Sequence, residues 1–205
     1  CGAQVPVPES YGEAIKWYQR AAKAGNAQAQ FTLGMKLEDG HHGQADPAAA
    51  FHWYLLAAWQ DHVQAQYKLG LFYYQGKGVD RDLSKAAQWY EAAPAGGSQR
   101  AQYNLALMVE RGLGVRRDPG RAMKLYEKVA ALGIVPARLN LSLLFARGAG
   151  VERDPLLAYM WLEMAIAGGV QGYGAYRRNL ANMLTAEQIA KAERLARERP
   201  GEIRS

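Results

Sequence analysis

Cysteine occurs once among 205 residues, at Cys1, which excludes an internal disulfide framework and a zinc site built from several thiolates. Histidine is nearly as scarce at four, so an imidazole metal site has only the adjacent His41 and His42, or the isolated His52 and His62, to draw on. No apolar run reaches the roughly 18 residues that a membrane-spanning helix requires. No block of five like charges occurs either, so the formal charge of +6 reads as a mildly basic surface, not a nucleic-acid footprint. Also missing are a Gly-x-Ser-x-Gly elbow, a His-Glu-x-x-His helix and a phosphate loop ending in Gly-Lys-Ser/Thr. The expectation is a chain with no catalytic residue, no bound metal and no cofactor.

What is present is a repeat. Ala29, Ala65, Ala101 and Ala137 lie 36 residues apart, as do Leu33, Leu69, Leu105 and Leu141, then Gly40, Gly76, Gly112 and Gly148, then Asp46, Asp82, Asp118 and Asp154. One supersecondary unit has been copied along the chain, and copies of this kind bury their apolar faces against their neighbours. Within a unit, the spacing of four between Ala29, Leu33 and Leu37 predicts one buried face of a first helix. The residue after the leucine is always small (Gly34, Gly70, Ala106, Ser142), which predicts close approach of the paired helix. Gly40 and its equivalents end the first helix.

The loop then reads Gly-x-Gly-Val-x-Arg-Asp in the last three units, with Val79, Val115 and Val151 expected to plug it into the core. The aspartates are predicted N-caps of the second helix, with Pro47, Pro119 and Pro155 at its first position. That helix carries the aromatics Trp53 and Tyr54, or Trp89 and Tyr90, which are expected to fill the space between helix pairs. Gly25, Gly97, Gly133 and Gly169 close these helices, and Pro94 is expected to shorten or bend one of them.

Ser10 and Glu13 form a capping box before a helix whose Trp17 and Tyr18 match Trp53 and Tyr54 one period later, so the order begins with a half-repeat cap. Residues 1–9, with Pro6 and Pro8, read as an extended tether, and 10–205 as one solenoid domain. Its repeats are expected at about 27–62, 63–98, 99–134 and 135–170. Beyond Gly169 the period weakens; Thr185 and Gln188 open a last helix rich in Glu and Arg, a polar C-terminal cap over 171–200.

The pattern Ala-x-x-x-Leu-Gly-x-x-Tyr-x-x-Gly-x-Gly-Val-x-x-Asp-x-x-x-Ala-x-x-Trp-Tyr-x-x-Ala-Ala resembles the Sel1-like repeat, the 36-residue relative of the tetratricopeptide repeat, over about residues 11–170. Departures are local: His41-His42-Gly43-Gln44-Ala45 replaces the glycine loop in the first unit, and Leu139 and Ile166 replace framework residues in the fourth. The resemblance implies an all-α, right-handed α-solenoid of antiparallel helix pairs whose first helices line a concave side. Non-framework positions there are Thr32, Lys68, Asn104 and Asn140, each followed four residues on by Lys36, Phe72, Met108 and Leu144. They are expected to form a groove, polar at one end and apolar at the other, that holds an extended segment or helix of another protein. The alternative reading makes Phe72, Met108 and Leu144 core. Cysteine-rich relatives associated with penicillin-like compounds carry a disulfide in each repeat; this chain has none, so that activity is not carried over.

The implied function is a non-enzymatic protein–protein adaptor with no nucleic-acid partner. One alternative is a cell-wall or small-molecule-binding protein or enzyme with a pocket near His41 and His42; another is an inhibitor or immunity-type binder of a single toxin or enzyme. Cys1 resembles the first residue of a mature bacterial lipoprotein. That would attach the chain by a lipid on its thiol to the periplasmic side of the envelope, at the outer membrane; an accidental cut site and a cytoplasmic location are the alternative. Arg111, Arg147, Arg81, Arg117 and Arg153 form a basic edge, read either as steering an acidic partner or as solvated loop charge.

Overall fold

The repeated aspartates do what their spacing predicts. In a computed structural model describing residues 11–40, 44–93, 98–148 and 150–198, with the side chains of 11–15 excepted, every described secondary-structure element is helical. Asp46, Asp82, Asp118 and Asp154 each accept, through Oδ1, the backbone N–H three residues on at 2.8–2.9 Å. Each also donates its own N–H to a carbonyl nine residues back, those of Leu37, Tyr73, Val109 and Phe145, at 2.9–3.0 Å. One residue thereby starts the second helix and fastens it to the end of the first.

Two compact units part between Ser98 and Gln99. The first holds α1 (Tyr11–Lys23), α2 (Ala27–Asp39), α3 (Pro47–Ala58), α4 (Val63–Gln75) and α5 (Leu83–Ala92), each packed on the next. The second holds α6 (Gln99–Arg111), α7 (Pro119–Ala131), α8 (Val135–Arg147), α9 (Pro155–Ala167), α10 (Gly174–Ala181) and α11 (Ala186–Glu198), the last two packed on α9. Cys1 and the tether, the side chains of the Ser10–Glu13 box, His41, His42 and Pro94 lie outside the described residues. The helix that precedes Pro94, α5, has 10 residues and ends at Ala92, where α6 to α9 have 13 each.

The first helices stop where glycine permits a left-handed turn: Gly40, Gly76, Gly112 and Gly148 have φ between 64° and 72°. In α2 and α4 the small residue in the middle of the helix faces a tyrosine of the paired helix. A Cβ on Gly34 would stand 2.7 Å from Tyr54 Cε1, and one on Gly70 would meet the Tyr90 ring still more closely. Tyr54, Tyr90 and Tyr126 are accordingly among the most buried large side chains. In the last unit Leu162 takes the tyrosine position, and Ser142, at the small position, donates its hydroxyl to Ala158 O at 2.7 Å.

Val79 packs against the core of Phe31, Tyr54, Leu69 and Phe72, as the plug reading requires. The arginines of the loop motif have a structural job as well. Nε of Arg81, Arg117 and Arg153 donates to a carbonyl seven residues back, of Tyr74, Glu110 and Ala146, at 3.0–3.1 Å, satisfying helix ends that would otherwise face only water. A further cross-helix bond recurs at the position after Ala29, buried in the first two repeats: Gln30 donates to Ala22 O, Gln66 to Ala58 O and, from a half-buried side chain, Arg138 to Ala130 O. At the C-terminal end, Thr185 and Gln188 exchange hydrogen bonds at 2.8 and 3.2 Å, the reciprocal box the sequence announces.

Candidate functional site

The predicted groove divides into positions that reach solvent and positions that do not. Phe72, Met108 and Leu144 are 1%, 1% and 2% exposed. Phe72 sits edge-on to Tyr54 with ring centroids 5.4 Å apart and stacks on Phe51 at 6.4 Å. The apolar end of the expected groove is therefore core, the alternative that a stripe at helical spacing leaves open. Lys36, at the same position of the first repeat, is half-buried.

Thr32, Lys68, Asn104 and Asn140 are half-buried, and three of them are bonded within the fold. Thr32 Oγ1 donates to Gln28 O at 2.8 Å, and Asn140 Nδ2 to Tyr103 Oη at 3.3 Å. Lys68 has the strongest partner. Glu38, at the end of α2, accepts from Lys68 Nζ at 2.6 Å and Tyr54 Oη at 2.7 Å on Oε2, and from Lys77 Nζ at 2.8 Å on Oε1.

Burial pushes the Glu38 carboxyl up, but the hydrogen bonds from Lys68, Lys77 and Tyr54 outweigh it and hold the group at about 2. Burial and the same carboxylate drive the Tyr54 phenol far above its ordinary range. A catalytic cluster needs an open acceptor or donor; here both carboxylate oxygens are taken, so the arrangement is a strut joining α2, α3, α4 and the loop after α4. In the second unit Tyr126 Oη donates to Glu110 Oε2 at 2.7 Å, a reduced copy without lysines. Glu38 and Glu110 lie 72 residues apart, two periods, a signal legible in the sequence beside Tyr54 and Tyr126.

The apolar residues that do reach the surface of the first helices stand one position earlier: Met35 and Leu71 in the first unit, Leu107 and Leu143 in the second, all half-buried. Their recurrence every 36 residues is visible in the sequence, and four residues further on come the exposed Asp39, Gln75, Arg111 and Arg147. His62, which the sequence leaves without a role, is the N-cap of α4. Its Nδ1 accepts Ala65 N–H at 3.3 Å, its Nε2 faces Gln28 Oε1 at 3.1 Å and its ring stacks on Phe31. Burial lowers its proton affinity. Arg177 ties the C-terminal cap to α9 through Glu163, also reaching Glu193 at 3.4 Å.

A recess of about 360 Å³ in the second unit is lined by Glu110, Arg111, Arg117, Leu143, Leu144 and Arg147. Among the described residues, no three His, Cys, Asp or Glu side chains converge as a metal site would require, and no helix is long and apolar enough to cross a membrane.

Among solved structures, a Sel1 repeat protein from Oxalobacter formigenes is similar at 24% identity and a TM-score of 0.71, over 94% of this chain and 83% of that one. A protective antigen present in uropathogenic Escherichia coli strains, described as displaying an SLR fold, is similar at 28% identity and a TM-score of 0.56, over 94% of this chain and 49% of that one. No curated protein matches the chain. The Sel1 repeat family model matches residues 2–26, 27–62, 63–97, 99–134 and 135–170, so the stretch read as a half-repeat cap falls within a match of its own. With the caps, glycine stops and tyrosine-on-glycine contacts recurring at that same 36-residue period, this chain belongs to the Sel1 repeat family, whose members generally serve as protein–protein interaction scaffolds.

Proposed function

We propose that this protein is a non-enzymatic scaffold that holds a partner protein against its first helices. The observation that carries this reading is the half-buried apolar pair on the first helices of each unit taken by itself, Met35 and Leu71 in the first and Leu107 and Leu143 in the second, each residue followed by an exposed polar one a turn on. Apolar contacts ringed by polar positions are what a partner helix or extended segment buries on docking. The proposed setting is the bacterial envelope, supported by the 28% identity to a bacterial protein described as a protective antigen.

The test is recovery of partner from its native cells by the wild-type chain, by Leu71→Glu and by Leu107→Glu, each shown folded by circular dichroism. Loss of a specific partner in either variant is expected. Equal recovery by all three would remove this face from the binding surface. Phe72→Ala does not serve here, because emptying a buried aromatic site costs about 3–5 kcal/mol of stability and reports on the core.

A further inference from the structure

The recess of the second unit has an unusual charge composition. Arg111 ends α6, Arg147 ends α8 one period later, and Arg117 lies in the loop between α6 and α7. Arg117 Nε is committed to Glu110 O at 3.1 Å, which leaves the two terminal nitrogens of its guanidinium. Among the described residues, Arg111 and Arg147 form no ion pair or hydrogen bond, and both are exposed. Against the three cations stands one carboxylate, Glu110, whose Oε2 is held by Tyr126.

The C-terminal ends of α6 and α8 add about half a negative charge each. The balance is about one positive charge, which matches a single carboxylate better than a phosphate dianion. Geometry agrees with charge. A guanidinium offers paired N–H groups matched to the two oxygens of a carboxylate. Leu143 is half-buried and Leu144 fully so, and together they supply an apolar wall for the methylenes of an acidic side chain.

We propose that this recess takes a glutamate or aspartate side chain from an acidic segment of a partner protein, with Arg111 and Arg147 as its principal donors. The proposal rests on the scaffold reading and adds the chemistry of the partner. It also separates two groups of arginines that the sequence presents as one basic edge. Arg81, Arg117 and Arg153 bond their own helix ends, whereas Arg111 and Arg147 present their charge outward.

The probe is fluorescein-labelled hexaglutamate, followed by anisotropy at low and physiological salt. The variants are Arg111→Gln/Arg147→Gln and a control with the same charge loss elsewhere on the second unit, Arg116→Gln/Lys124→Gln, both shown folded by circular dichroism. The expected result is saturable binding to wild type, weakened about tenfold or more in the first variant and by less than about twofold in the control. Equal weakening in both would mean net charge alone, and would overturn the proposal. Absence of binding would overturn it too. Displacement of the peptide by an equal concentration of inorganic phosphate would replace the carboxylate by a phosphate and overturn the occupant named here. This assay uses no cellular partner, so its failure leaves the Leu71 and Leu107 experiment free to decide the scaffold reading.

Discussion

The ring of Tyr54 lies so close over Gly34 that a Cβ there would stand 2.7 Å from Cε1 and 2.8 Å from Cδ1. Tyr54 has nowhere to move, being fully buried and tied by its hydroxyl to Glu38. Alanine in a helix interior is ordinarily favoured over glycine by about 1 kcal/mol, but overpacking a closed core costs about 1–3 kcal/mol. Gly34→Ala and Gly70→Ala should therefore each lower stability by about 1 kcal/mol in urea denaturation. A higher midpoint in either would show that the ring yields.

Glu38 makes a test in acid. Its folded value of about 2 lies below the ordinary 4.5, so its contribution is fully present above pH 4.5 and is lost as pH falls toward 2. The contribution is on the order of 3 kcal/mol. The stability difference between wild type and Glu38→Gln should shrink across that window. Glu110→Gln, which replaces the charged acceptor of the Tyr126 hydroxyl by a neutral one and breaks no lysine pair, should cost less; the reverse order would contradict the strut.

His62 titrates with the opposite charge change. Its neutral ring accepts the Ala65 N–H, and burial lowers its folded value below the ordinary 6.5. The stability it adds is whole above about pH 6.5 and is lost as pH falls through the lowered value, an effect the size of an N-cap, about 1 kcal/mol. One period earlier Asn26 caps α2 with Oδ1 at 2.8 Å from Ala29 N. His62→Asn should accordingly remove the slope that sets in below about pH 6.5, and a slope that survives would assign it to another group.

Asp61 stands where Gly25, Gly133 and Gly169 stand in other repeats, and is the one non-glycine residue at positive φ, 58°, among the described residues. A left-handed conformation strains a side-chain-bearing residue by roughly 1–2 kcal/mol, less for Asp. Asp61→Gly should raise the thermal midpoint by a few degrees, equivalent to up to about 1 kcal/mol. An unchanged or lower midpoint would show that the aspartate makes a compensating contact.

The period, the helix ends, the aspartate caps and the close helix approach at Gly34 and Gly70 are legible in the chain, because each depends on residues within one or two turns or on a contact repeated at a fixed offset; that Tyr54 and Tyr90 lie on those glycines within a helix pair, and do not only fill the space between pairs, is not. Arg81, Arg117 and Arg153 were legible only as charge, since a guanidinium finds its carbonyl through loop geometry. The apolar members of the expected groove, Phe72, Met108 and Leu144, lie in the core, and the apolar residues that reach the surface stand one position earlier. Leu71 and Phe72, or Leu143 and Leu144, are adjacent apolar residues on one helix, about 100° apart around its axis. Periodicity states that a stripe exists and how often it returns; it does not state which edge of a wide stripe faces the neighbouring helix. That is decided by how far each helix is rotated when Tyr54 settles on Gly34, or Tyr90 on Gly70, a tertiary contact that turns Phe72 inward and leaves Leu71 at the surface. The sequence by itself determined a 36-residue helical repeat with built-in starts and stops; only the packing of one helix on the next decided which side chains remain for a partner.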